Sequence, residues 1–301
     1  MAGKRDSRGY MWMPRRLRRG CWLLVCLAAV GIAAYSIKNH PSSAMEQGRK
    51  GQQGMMDGGE RAGATVTPEP TREPEPEMAL APKVSLKEKY ASKKAGTVVK
   101  TAGSSRKEQR GMFYKSKITK KVFQRMKGKS YKKGCIVPRD DLRYLRMLYV
   151  GFDGKAHIGE MVVNRKIADD VLKIFYKLYL KKYPIQRMVL IDEYNADDDK
   201  SMAANNTSCF NYRAVKGTTY LSKHSYGLAI DVNPLYNPYI HTMNGKLVCE
   251  PAGSKKYSDR SKDFPYKITK RDNCFKLFKK YGFSWGGDWN TKKDYQHFQK
   301  S

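Results

Sequence analysis

Four residues in the C-terminal third of the chain have side chains suited to metal-assisted hydrolysis. His224 and Asp231 fall in the run Ser222-Lys223-His224-Ser225-Tyr226-Gly227-Leu228-Ala229-Ile230-Asp231, and Asp294 and His297 in Asp294-Tyr295-Gln296-His297. A catalytic zinc takes three protein ligands from His and Asp/Glu and leaves a fourth position for water. A turn running into a short strand brings His224 and Asp231 together. On one helical turn, or in a tight loop, Asp294 and His297 face the same way. One of that pair can then bind zinc while the other handles protons.

The elements that must position these residues can be read from the apolar pattern. The β-rich run 142–150 and the run 158–163 flank a turn containing Asp153-Gly154, which predicts a hairpin. Ile167, Val171, Ile174, Phe175 and Leu178 recur at helical spacing, with Pro184 beyond the end. Two short buried strands are expected at 188–191 and 228–232. A helix is expected from Thr269, as N-cap, to Tyr281, with Gly282 just past its end. Hairpins plus a few helices define an α+β fold. It is a small mixed domain with an antiparallel sheet and flanking helices around the zinc site, of roughly 160–190 residues, a normal size for one core.

Ahead of this domain the composition changes. Residues 1–20 are basic, and 21–37 are uncharged and mostly apolar. At roughly 1.5 Å per residue that run reaches about 25 Å, the short end of a membrane span. The positive-inside rule then keeps the N-terminus in the cytoplasm and exports the rest. Ile32-Ala33-Ala34 is a poor cleavage site, which favours an anchor over a signal peptide. Residues 38–110 lack sustained apolar periodicity and include the Pro/Glu run 68–77, so a disordered stalk is expected there.

Lys and Arg number 59 against 28 Asp and Glu, a net charge of +31. That excess favours an anionic cell-wall polymer or a lipid surface as partner, and the basic stretch 111–135 is either a solvated face or an adhesive one. Export argues against nucleic acid, as does the lack of a basic helix in a base-reading context. Cys135, Cys209, Cys249 and Cys274 lie in the exported part, where at least one disulfide is plausible. The acidic run Asp197-Asp198-Asp199 lacks calcium-loop spacing and reads as a solvated turn. His157 and His241 have no ligand-spaced partners and read as structural or surface residues.

The pattern Ser-x-His-x-x-Gly-x-Ala-x-Asp from Ser222 to Asp231 resembles the signature of the zinc peptidases that comprise D-alanyl-D-alanine carboxypeptidases and L-alanyl-D-glutamate endopeptidases. Ser201-Met202-Ala203-Ala204-Asn205-Asn206-Thr207-Ser208, Phe210-Asn211-Tyr212-Arg213, Asn233-Pro234 and Asn237-Pro238-Tyr239 add to the likeness. So do Gly282 to Trp289 and Asp294-x-x-His297-Phe298, so the likeness covers about 140–300.

The resemblance implies zinc on His224, Asp231 and His297, with Asp294 as general base and Arg213 as donor to the carbonyl oxygen gaining charge. Ser222 would stand near the substrate, and Trp285 and Trp289 are either a stacking wall or core aromatics. It places the catalytic domain at 111–301 with a core of about 140–300. The implied partner is the peptidoglycan stem peptide. Asp294, where carboxypeptidase branches usually carry Glu, together with Trp-Gly-Gly and His-Phe, looks more like the endopeptidase branch. Cleavage between L-Ala and D-Glu is therefore expected ahead of D,D-carboxypeptidase action. A non-catalytic wall-binding protein with a structural zinc is disfavoured, because both Asp294 and Arg213 are present. Gln299 stands where an acid often follows His-Phe, a change from which little is expected.

Overall fold

Residues 84–301 are described by the structure, a computed structural model. The Lys- and Ser-rich stretch before Tyr114 is folded in this part. Two short helices, α1 (Leu86–Lys89) and α2 (Arg106–Gly111), each begin with a serine whose side chain and the glutamate three residues on cap one another reciprocally. Leu86, Tyr90 and Val99 are buried in the main core. The backbone at 96–99 runs along a sheet edge, with Gly96 N donating to Ile158 O at 2.7 Å and Val99 N to Ala156 O at 2.8 Å. The stalk expected to reach 110 is therefore corrected over 84–110. A few well-spaced apolar residues dock there on a core built elsewhere, which leaves no periodicity to read. The remaining stalk residues and the anchor expected at 21–37 lie outside the described residues. Among the described residues no helix is long and apolar enough to cross a membrane.

In the basic segment, β1 (Tyr114–Ser116) and α3 (Lys120–Met126) turn Ile118, Val122 and Met126 inward, while the lysines stay outside. The expected hairpin is present as β2 (Leu142–Val150) and β3 (Ala156–Asn164), paired antiparallel from Leu142↔Asn164 to Val150↔Ala156. With β1 they form one sheet in the order β1-β2-β3. The expected helix is α4 (Ala168–Leu180), whose Val171, Ile174, Phe175 and Leu178 join the same core as Leu145, Met147 and Leu148. Leu142, Tyr144 and Val162 belong to a second cluster with Ile118, Val122, Met126, Leu190 and Phe210.

The strand expected at 188–191 is not a strand. Val189 instead exchanges hydrogen bonds with the Asn206 side chain, donating to Oδ1 at 2.9 Å and accepting from Nδ2 at 3.1 Å, and a 3-10 turn follows at Ile191–Tyr194. An asparagine amide meets the backbone groups a ladder would have met. After α5 (Asp198–Ala203) come β4 (Ala229–Asp231) and a hairpin of β5 (Tyr239–Met243) and β6 (Lys246–Glu250). Helix α6 (Asn273–Lys280) starts three residues later than expected. Its N-cap is Asp272, whose carboxylate accepts from Cys274 N at 2.6 Å, while Thr269 only opens the preceding turn.

The last strands are β7 (Ser284–Trp285), β8 (Lys293–Asp294) and β9 (His297–Gln299). They complete two small antiparallel sheets, β4-β9-β7 and β6-β5-β8. Mixed helix and antiparallel sheet agree with the α+β expectation. The four cysteines from Cys135 onward are all free, so the expected disulfide is not formed among them.

Candidate metal centre

The centre is assembled by a strand pair and the turn that feeds it. Lys223–Tyr226 form a 3-10 turn capped by Ser222, whose Oγ accepts from His224 N at 3.3 Å. Gly227 ends the turn at φ +66°, and a Cβ there would meet Asn164 N at 2.7 Å. Both the backbone conformation and the close approach of β3 require glycine. Gly227→Ala is expected to cost about 1–3 kcal/mol of stability, read by urea unfolding. β4 begins two residues further on, and its last residue, Asp231, stands directly opposite His297 in β9. Opposed residues of an antiparallel pair project to one face. Carboxylate and imidazole are thus neighbours, and the preceding turn swings His224 onto the same spot.

His224 Nε2 lies 3.1 Å from Asp231 Oδ2 and 3.2 Å from His297 Nδ1, and His297 Nδ1 lies 3.1 Å from Asp231 Oδ1. All three residues are buried. A tetrahedral zinc with bonds of about 2.0–2.1 Å sets its ligand atoms about 3.3–3.4 Å apart, so this triangle is close to the face of such a site. The outer ring nitrogens are held as metal ligands require. His224 Nδ1 meets the Cys209 carbonyl at 2.6 Å and His297 Nε2 meets Gln299 Oε1 at 3.0 Å. Those acceptors keep the protons on the outer nitrogens and leave the inner ones as donors to a cation. Two imidazoles and one carboxylate suit a catalytic zinc with one position open.

Electrostatics favour a cation at the centre. Burial would raise the Asp231 carboxyl, but His224 and His297 hold it well below the usual range. Burial likewise opposes charge on His297, and the hydrogen bond and charge of Asp231 outweigh it, raising the ring to about 9. Asp294, at the end of β8, is outside the three-residue metal group. Its pKa is pushed up to about 6, chiefly by burial, with Asp231 adding to the rise and His297 opposing it. Its Oδ1 is enclosed without a hydrogen-bond partner. A carboxylate beside the ligands, but not among them, is placed to move protons.

Arg213 reaches the same space. Burial lowers its pKa, and the charges of Asp231, Asp294 and Glu250 act against that. Its Nε pairs with Asp198, whose Oδ1 accepts from Asn211 Nδ2 at 2.8 Å, and Nη1 donates to Ala214 O at 3.2 Å. Asp198 therefore holds the arginine. The solvated-turn reading of the acidic run is corrected: Asp197 caps α5 and Asp198 anchors Arg213. Asp198→Asn should lower kcat about tenfold with little change in KM, and Asp198→Glu should restore part of it.

The remaining candidate residues separate clearly by position. Trp285 is only 4 % exposed, packs against Phe275, Tyr295 and Phe298, and donates from Nε1 to Tyr295 O at 2.9 Å. It is a core residue, and the substrate-wall expectation is corrected for it. Trp289, half-buried, lies with its ring 5.4 Å from that of His297 and is the tryptophan that flanks the centre. Ser222 is buried and caps the His224 turn. Gln299, from which little was expected, orients His297. It lies two residues on along a strand, hence on the same face, a relation hidden while Asp294-x-x-His297 was read as a helical turn or loop.

Residues 216–300 match the family model described as D-alanyl-D-alanine carboxypeptidase, a span that contains all three ligands and Asp294. No curated protein and no solved structure matches the chain. The matched span, similar to the D-alanyl-D-alanine carboxypeptidases, and the His-Asp-His group together support a zinc metallopeptidase with zinc as its cofactor.

Proposed function

We propose that the protein is a membrane-anchored peptidase that cuts peptidoglycan stem peptides at the L-alanyl-D-glutamate bond. The observation that carries the proposal is the partly buried Asp294 carboxylate beside the triad, its Oδ1 enclosed without a hydrogen-bond partner and the Arg213 guanidinium near enough to feel its charge. His224, Asp231 and His297 would hold the zinc, which would supply Lewis acidity toward a peptide carbonyl and a water. Asp294 takes the proton of the attacking water and returns it to the leaving amine. Arg213, steadied by Asp198, donates to the carbonyl oxygen as it gains charge. Trp289 covers one side of the His297 ring.

Internal cleavage, as opposed to trimming of a terminal residue, is favoured by Asp294 with Trp285-Gly286-Gly287 and His297-Phe298, a pattern that looks more like the endopeptidase branch. Export by the apolar run 21–37 would carry the domain to its substrate, and the +31 charge would hold it to anionic wall polymer or lipid.

The base must be deprotonated, so kcat should fall as pH drops through the Asp294 pKa. That value is about 6, and the cation on the triad pulls it lower. The acid limb should therefore lie at or below about pH 6 in a kcat–pH profile.

The experiment that tests the reading is mass spectrometry of peptidoglycan digested by the zinc-loaded protein. New amino-terminal D-Glu, with L-Ala left on the muramic acid, supports it. Release of free D-Ala would instead identify a carboxypeptidase, and no product from several wall types would favour a binding protein.

A further inference from the structure

The sheet that ends in Asp294 carries polar side chains that take no part in the steps above. In β6-β5-β8, Tyr239 stands opposite Asp294 on one side and opposite Glu250 on the other. Directly opposed residues project to one face, so the three share the face that Asp294 turns toward the metal centre. His241, two residues along β5, lies on that face too, with its ring stacked on Tyr239 at 4.6 Å. Two strand spacings put Glu250 about 10 Å from the base.

The Glu250 carboxylate is engaged by a cation that is free to leave. Lys216 Nζ lies 2.8 Å from it, yet the lysine side chain is 70 % exposed against 17 % for the glutamate. The acid is largely enclosed, while the exposed lysine reaches over it from the loop between Arg213 and Ser222. Lys216 also has a second carboxylate to retire to, Asp199 at 3.3 Å. His241 Nε2, 3.9 Å from Glu250, is enclosed and has no hydrogen-bond partner, so it has hydrogen-bonding capacity to spare.

We propose that Glu250, with His241 and Tyr239 beside it, is a specificity subsite for a primary ammonium group of the substrate, which takes the place of the Lys216 ammonium. The proposal rests on the peptide-hydrolase reading above. It names the substrate class: peptides in which a diamino acid carries a free side-chain amine able to reach a carboxylate two strand spacings from the base. An ammonium–carboxylate hydrogen bond in a partly enclosed site is worth about tenfold in binding.

The test uses the full chain, zinc-loaded, on purified stem peptides with a free diamino-acid amine and on the same peptides after acetylation of that amine. Wild type should cut the free-amine peptide with kcat/KM about tenfold higher, the difference lying in KM. In Glu250→Gln that ratio should collapse to about one, a readout independent of how much of the variant folds. Lys216→Met should lower KM for the free-amine peptide, because the competing ammonium is gone. Equal rates on both peptides by wild type, or an undiminished ratio in Glu250→Gln, would overturn the subsite and leave the hydrolase reading standing. Cleavage of neither peptide would overturn both.

Discussion

Asp294→Ala lowers kcat by about 10²–10⁴ while the protein keeps one zinc per chain, the range a positioned general base contributes. The two readouts belong together because Asp294 is outside the His224–Asp231–His297 group. Removing a ligand would lower metal content and rate at once, whereas removing a base that only moves protons lowers the rate alone. KM should change little, since Asp294 acts on the reacting water and not on the bound peptide. Asp294→Asn is the sharper form of the test. It fills the same volume and cannot take a proton, so it should be as slow as the alanine variant. Metal analysis beside steady-state kinetics checks both halves, and a variant that loses zinc would show that Asp294 is a ligand.

His297→Ala is expected to abolish activity together with zinc binding, and to do more than remove one donor. The His297 ring meets Asp231 Oδ1 at 3.1 Å and Gln299 Oε1 at 3.0 Å, tying β9 to β4. Without the ring, a buried Asp231 keeps only His224 as a partner within the triad, and an underpaired buried charge is costly. We therefore expect zinc content near zero and a loss of stability of about 3–5 kcal/mol, read by metal analysis and urea unfolding. Gln299→Ala should act in the same direction but more mildly, with zinc affinity about 10–100-fold weaker, as losing the outer partner of a ligating histidine does. Chelation of the wild type should reproduce the activity loss of His297→Ala and be reversed by added zinc.

Part of this site was legible in the sequence: the His224 and Asp231 half lies in one short run, while the family resemblance was needed to choose His297 over Asp294 as the third ligand. The Ser222–Asp231 run contains a cap, a turn, a glycine and a strand in order, and the structure uses each as such. The helix α4 and the β2–β3 hairpin were legible for the same reason, being long elements with clear periodicity. What could not be read was non-local. Trp285 sits next to a glycine pair in sequence but packs into the core, and only the tertiary arrangement separates it from Trp289.

Asp198 reads as one acid in a run of three until Arg213 is seen folded back onto it. The segment at 188–191 has strand composition, yet Asn206 takes the role of a partner strand. Residues 84–110 lack a pattern of their own because they borrow the core of the domain that follows. The Asp294–His297 spacing fits a helical turn as well as it fits two strand ends. The strand reading alone brings Gln299 beneath His297 and Tyr239 beside Asp294.

The most direct test of the metal centre is a zinc-edge anomalous difference map from crystals of the zinc-loaded protein. One peak per chain is expected, about 2.0–2.2 Å from His224 Nε2, His297 Nδ1 and an Asp231 oxygen, with Asp294 outside bonding distance. A peak elsewhere, no peak, or a peak bonded to Asp294 would contradict the assignment of three ligands and a separate base.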